Sequence, residues 1–184
     1  MTATATPAAP PITDISKSAA YSAKLMGLLG DRDSLEVLRS TPDILAKAIA
    51  PHPASVLRKR PFEGKWTPCE IIGHLCDGDF IYGYRVRLVQ SQDRPQILPM
   101  DQDLWVVGQR YNERDPIELI EQFRALRRIT VAMWKNVSPE QLDRVGVHAE
   151  RGEESLRTML KMHAGHDLSH IDQFTRYLQA ALGK

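Results

Sequence analysis

Cysteine is nearly absent from this chain: Cys69 and Cys76 are its two thiols in 184 residues. They fall on one predicted helix, about 10 Å apart along its axis at 1.5 Å per residue, too far for a mutual disulfide. That excludes a disulfide-stapled scaffold, and two isolated thiols fit a reducing cytoplasm. Charge of one sign is missing too: 24 Lys and Arg stand against 23 Asp and Glu, a net of +1. Arg58-Lys59-Arg60 and Arg127-Arg128 are too short to make the basic face of a nucleic-acid binder. No apolar run approaches the ~20 residues of a membrane span. The opening stretch is almost wholly Thr, Ala and Pro and lacks the basic start and apolar run of a signal peptide. Residues 1–13 therefore read as a disordered tail, and residues 14–184 as a single domain able to bury its own core. Strand signals are weak throughout.

Helix signals, by contrast, recur with their start codes intact. Thr67-Pro68-Cys69-Glu70 supplies a cap, a proline at the first helical position and a capping-box glutamate. Asp115-Pro116-Ile117-Glu118 repeats the arrangement, and Ser138-Pro139-Glu140-Gln141 does so for a shorter helix. These starts predict four long helices, over Asp33–Ala50 with a kink at Pro42, Pro68–Gln90, Pro116–Val137 and Glu153–Leu182. An extra helix over Ile15–Leu29 precedes them. A long connection from Ser91 to Arg114 permits a crossover between the second and third. The pattern is all-α, a four-helix bundle with an N-terminal extension.

One seam of the last helix is anomalous. Leu156, Leu160, Phe174, Tyr177 and Ala181 form its apolar stripe, yet His163 and His170 share that stripe and His166 lies beside it. Buried imidazoles are costly unless something satisfies them. His166 and His170 are one turn apart, with Cβ atoms roughly 5–6 Å from each other, close enough to share a metal ion. His163 and His166 form a competing pair on nearly the same face, so spacing alone leaves His163 as ligand, supporting residue or neither. His74, in the second helix, shares its face with Ile71, Gly78, Ile81 and Arg85 and is expected to point inward. Gly78 costs helix propensity and returns space beside His74. Three neutral imidazoles suit zinc, nickel, iron or another divalent metal, manganese included, and leave positions open. The pair is not the zinc-protease motif, since Asp167 stands where that motif needs glutamate. Asp167 reads either as a support for the histidines or as an exposed helix aspartate.

These motifs resemble the DinB-like family of metal-binding four-helix proteins. The matching segments are Gly64–Pro68 leading into Ile71-Ile72-Gly73-His74-Leu75-Cys76-Asp77, and Met162–Gln173 around His166 and His170. The likeness runs from about Asp33 to Leu182 and also takes in Trp105–Asp115 and Phe123–Arg127. It implies an up-down-down-up bundle with His74, His166 and His170 as metal ligands, leaving His163 outside the set. Some members resemble thiol-dependent S-transferases that use a low-molecular-weight thiol; many have no established reaction.

The expected chemistry follows from the donor set. A divalent cation there lowers the pKa of a bound water or thiol towards neutrality, giving a nucleophile for hydrolysis or thiol transfer on a small-molecule substrate. Asp77 is a candidate to orient a ligand or accept a proton, against its plainer reading as a solvated helix residue. Arg85 could take an anionic substrate or make a surface salt bridge. His148 reads as a solvated loop residue near the pocket mouth, and His52 as a turn residue without a site role. A homodimer through an exposed helix face is a further expectation. The rival readings are a bundle that binds metal without catalysis and a plain interaction bundle with hydrogen-bonded core histidines.

Overall fold

Four long helices of the computed structural model, which describes residues 15–184, each begin where the sequence supplies a cap. After α1 (Ile15–Leu29), Asp33 accepts from the Glu36 amide at 2.7 Å and opens α2 (Ser34–Ile49). One turn, α3 (Ala54–Leu57), precedes α4 (Pro68–Ser91), where Thr67 and Glu70 complete the capping box. Asp115 caps α6 (Pro116–Lys135) through the Ile117 amide, and Ser155 caps α7 (Leu156–Ala181) through that of Thr158. Such caps satisfy amides that have no partner inside the helix. The tail read over residues 1–13 lies outside the described residues.

Side-chain pairs fix the directions of the four long helices. Cys76 meets the Leu119 carbonyl, Asp79 meets Arg127 and Arg87 meets Met133, so α4 and α6 run parallel. His74 meets His166 while Tyr82 stacks on His163, so α7 runs against α4. Asp43 pairs with Arg124 and the Leu38 carbonyl with Arg127, so α2 runs against α6. The result is an up-down-down-up bundle of α2, α4, α6 and α7. Parallel neighbours require a connection that travels the length of the bundle, and residues 92–115 do so. They carry α5 (Gln102–Gly108) and a 3-10 turn at Tyr111–Glu113.

The helical reading missed a small sheet. Strand β1 (Gln96–Ile97) pairs parallel with β2 (Val145–His148), which pairs antiparallel with β3 (Gly152–Ser155). The last helix therefore starts at Leu156, because Glu153–Ser155 belong to a strand. The turn between β2 and β3 ends on Gly152 at φ +76°, a conformation glycine adopts without strain. The third helix ends at Lys135 rather than Val137, and the segment after Ser138 makes a single 3-10 turn, Gln141–Asp143. Helix α2 is uninterrupted at Pro42. The missing proline amide frees the Leu38 carbonyl, which accepts from Arg127 Nη1 at 2.7 Å instead.

Two apolar clusters fill the interior. One gathers Ile71, Leu75, Tyr111, Phe123 and Phe174; the other gathers Val86, Val89, Trp134, Leu156 and Met159. Between them along the helices lies a belt of buried polar residues: His74, Asp77, Asp79, Arg127, His163, His166 and Asp167.

Candidate metal centre

Helices α4 and α7 bring His74, His166 and His170 together, each offering a ring nitrogen within 4.8 Å of the others. His74 Nε2 and His166 Nε2 are 3.0 Å apart. The His170 ring packs edge-on against both, with centroids at 4.6 and 4.3 Å. A second close approach, of α7 to α1, is built into the backbone beside the triad. A Cβ on Gly165 would lie 2.2 Å from the Leu25 carbonyl oxygen, so only glycine lets α7 sit this near α1 beside His166.

Electrostatics keep the His74 and His170 imidazoles in their ligating form. Burial, then the His170 and His166 rings, holds His74 well below the ordinary histidine range. Burial followed by His166 lowers His170 to about 3. Both are neutral at physiological pH, and neutral imidazole is the form that binds metal. His170 Nδ1 lies 2.8 Å from Gln173 Oε1, an oxygen that can only accept, so the proton sits on Nδ1 and Nε2 presents its lone pair. The Nδ1 atoms of His74 and His166 are buried without a hydrogen-bond partner among the described residues. Three imidazoles whose ring nitrogens converge in this way suit a divalent cation.

Trp66 closes one side. Its ring lies 4.7 Å from His74 and 6.2 Å from His170 between centroids, and its Nε1 donates to Asp103 Oδ1 at 2.9 Å. The other side opens into a cavity of about 330 Å³ that exposes His74 and His166 and is lined further along by Gly78, Tyr82, Arg85 and His148. Gly78 does provide space, but beside His166, whose Cε1 would lie 3.6 Å from an added Cβ.

The remaining sequence candidates fall elsewhere. His163 is outside the triad: its ring stacks on Tyr82 at 4.1 Å and Trp134 Nε1 donates to its Nδ1 at 3.4 Å. Asp167 is fully buried rather than exposed, in a bidentate pair with Arg127, which also holds Asp79. Burial would raise the Asp167 carboxyl, but the guanidinium outweighs it and keeps the group below its usual range. Asp77 is buried rather than solvated. It accepts from the Tyr111 hydroxyl at 2.6 Å and does not line the cavity. Burial raises its carboxyl to about 6, against the lowering by Tyr111. His148 is buried in β2 and Arg85 is buried in α4, where they touch; neither is a surface group. The thiols serve packing, since burial raises Cys69 to about 11 and Cys76 further. Sequence reasoning missed Gln173, although its position one turn after His170 was a usable signal. It also missed Trp66 as a cover for the rings, which no local pattern announces.

A comparison with known proteins decides the family: residues 38–174 match the DinB superfamily model. The chain belongs to the DinB superfamily. One member from Oceanobacillus iheyensis, provisionally named a metal-dependent hydrolase, is 27% identical over 61% of this chain and 64% of its own length. The match thus spans slightly less than two thirds of that relative. YfiT from Bacillus subtilis, with the same provisional name, is 23% identical over 77% of this chain and 82% of its own. The solved YfiT structure superposes with a TM-score of 0.69 over 91% of this chain and 92% of YfiT, at 22% identity, and is described as having an unusual four-helix bundle topology. The DinB fold is thus shared. No helix among the described residues is long and apolar enough to cross a membrane.

Proposed function

We propose that this DinB protein is a metal-dependent enzyme whose His74, His166 and His170 hold one divalent cation at the floor of the cavity. The observation that carries the reading is the triad itself: three imidazoles converge within 4.8 Å, and two of them face a cavity. When bound, the cation supplies a hydroxide or thiolate nucleophile at neutral pH. The chain's own residues do the rest. Gln173 fixes the His170 ring and its tautomer by accepting the Nδ1 proton. Trp66, anchored by Asp103, packs against the His74 and His170 rings and limits their movement on that side. The cavity mouth admits a small-molecule substrate to the open side.

Hydrolysis is the reaction that the names of the relatives support; transfer of a low-molecular-weight thiol is the alternative drawn from the family resemblance. Elemental analysis of untagged protein purified without chelator tests the site. About one equivalent of zinc, nickel, iron or manganese is expected in the parent, with loss in His74→Ala, His166→Ala and His170→Ala variants that remain folded. No metal after reconstitution with all four would overturn the proposal. A screen of esters and amides, with and without added thiol, then separates hydrolysis from transfer.

A further inference from the structure

The far end of the cavity has more hydrogen-bond donors than acceptors. Arg85 is 6% exposed, and among the described residues no carboxylate pairs with it within 4 Å. Its Nη2 donates to the Leu98 carbonyl at 3.0 Å and also lies 3.2 Å from His148 Nε2, while its Nε is buried without a partner. His148, 1% exposed, meets a second donor on the opposite side of its ring: the Glu150 amide lies 3.1 Å from Nδ1. Burial, then Arg151 and Arg85, lowers His148 to about 3, so its ring carries a single proton. A neutral imidazole accepts at one nitrogen and donates at the other. If Nδ1 accepts from Glu150, then Nε2–H points at the guanidinium. If Nε2 accepts from Arg85, the Glu150 amide loses its partner. One tautomer leaves the buried His148 Nε2–H unmet and the other the half-buried Glu150 amide, each in addition to Arg85 Nε–H, and unmet buried donors are costly.

We infer that Arg85 and His148 form a carboxylate-binding subsite, so that the cavity takes a substrate with a carboxylate at one end and its reacting carbon at the histidine triad. A carboxylate between the two residues accepts from the guanidinium fork and from His148 Nε2–H, which leaves Nδ1 free for Glu150. A planar monoanion suits the charge balance better than a phosphate dianion. Arg151 is already paired with Glu154, and Glu150 adds a second carboxylate at the rim. Eleven residues of α4 separate His74 from Arg85, about 16 Å along the axis, and a helical side chain leans back towards the N-terminus. A molecule of modest length therefore spans the two ends. The subsite stands without metal; what the other end of the substrate meets rests on the metal reading above.

Calorimetric titration with hexanoate, 1-hexanol and inorganic phosphate, on both metal-free and zinc-loaded protein, tests the subsite. Hexanoate should bind one to one in both forms, at least tenfold more tightly than hexanol or phosphate. Arg85→Gln should weaken hexanoate about ten- to a hundredfold, the loss of a charge-assisted pair. Arg85→Lys, which keeps the charge without the fork, should recover part of that loss. Glu150→Gln should tighten binding by removing the competing carboxylate, and it needs no change at Arg85. Hexanoate should also shift the His148 Nε2 resonance in ¹⁵N-histidine-labelled parent. Equal affinity in parent and a folded Arg85→Gln, no hexanoate binding in any form, or binding that needs zinc and vanishes in His74→Ala would each overturn the subsite. Arg85-dependent binding in a protein that takes up none of zinc, nickel, iron and manganese would sink the metal reading and leave the carboxylate site standing.

Discussion

Two polar clusters interrupt the interior of this bundle, and α7 contributes to both within two turns. At one, Arg127 bridges Asp79 and Asp167 and takes the Leu38 carbonyl freed by Pro42, while His163 Nε2 lies 3.6 Å from Asp79. At the other, His74, His166 and His170 converge, and His74 and His166 line a cavity. Both lie in the interior, yet the first spends nearly every donor on a protein acceptor while the second leaves the Nδ1 atoms of His74 and His166 without a hydrogen-bond partner among the described residues. Burial alone does not distinguish structure from function here. A satisfied network holds α2, α4, α6 and α7 in one arrangement; an unsatisfied set facing a cavity is arranged for something that comes from outside.

The contrast is broken most severely at Arg127. Arg127→Met leaves two buried carboxylates facing each other without a counterion, a class of change that costs about 3–5 kcal/mol. Thermal unfolding should show a large fall in melting temperature. Replacing Asp79 and Asp167 by Leu in the same chain should recover part of it, since an apolar trio avoids the unpaired charges. The same operation on the triad should behave differently. Gln173→Leu removes the acceptor that orients His170 and should weaken metal binding by about 10–100-fold, with little change in the melting temperature of the metal-free protein. Competition with a metallochromic chelator reads the first effect and calorimetry the second. A large loss of metal-free stability would show that Gln173 belongs with the structural cluster instead.

Much of the arrangement was legible because its signals are local. Caps at Thr67 and Asp115 and the apolar stripes placed the long helices, and the turn-spaced His166 and His170 marked the triad through one helix. What failed was long-range. Glu153–Ser155 read as helix because nothing within the segment shows that Val145–His148 will pair with it, or that Ile97 will cover Gly146. Asp77, Asp167, Arg85 and His148 read as solvated because charged residues mostly are. Their partners Tyr111, Arg127 and Leu98 come from elsewhere in the chain, and the Arg127 network becomes intelligible only when α6 is placed opposite α7. A buried charge is paired, and the pairing is set by topology.

Asp77 gives the finest test of the distinction, because it sits in the polar belt but accepts a single hydrogen bond, 2.6 Å from the Tyr111 hydroxyl, with Oδ2 unpartnered among the described residues. Its carboxyl stands at about 6 in the folded protein against an ordinary 3.8, with burial the leading cause. A carboxyl whose folded pKa is raised binds its proton more tightly in the fold. Its contribution is complete below the unfolded value and is lost as the pH rises through about 6. Asp77→Asn keeps the shape and cannot ionise. Relative to the parent, the variant should gain stability as the pH rises from 4 to 8, with the change centred between the two pKa values. Melting curves in buffers across that range measure it, and the effect should be the smallest of the three, since one carboxyl is involved and Tyr111 offsets part of the burial. A difference that stays flat with pH would mean that Asp77 remains ionised in the fold, held by the Tyr111 hydroxyl as firmly as Arg127 holds Asp167. It would then belong to the satisfied cluster, and the boundary between the two would move one turn along α4.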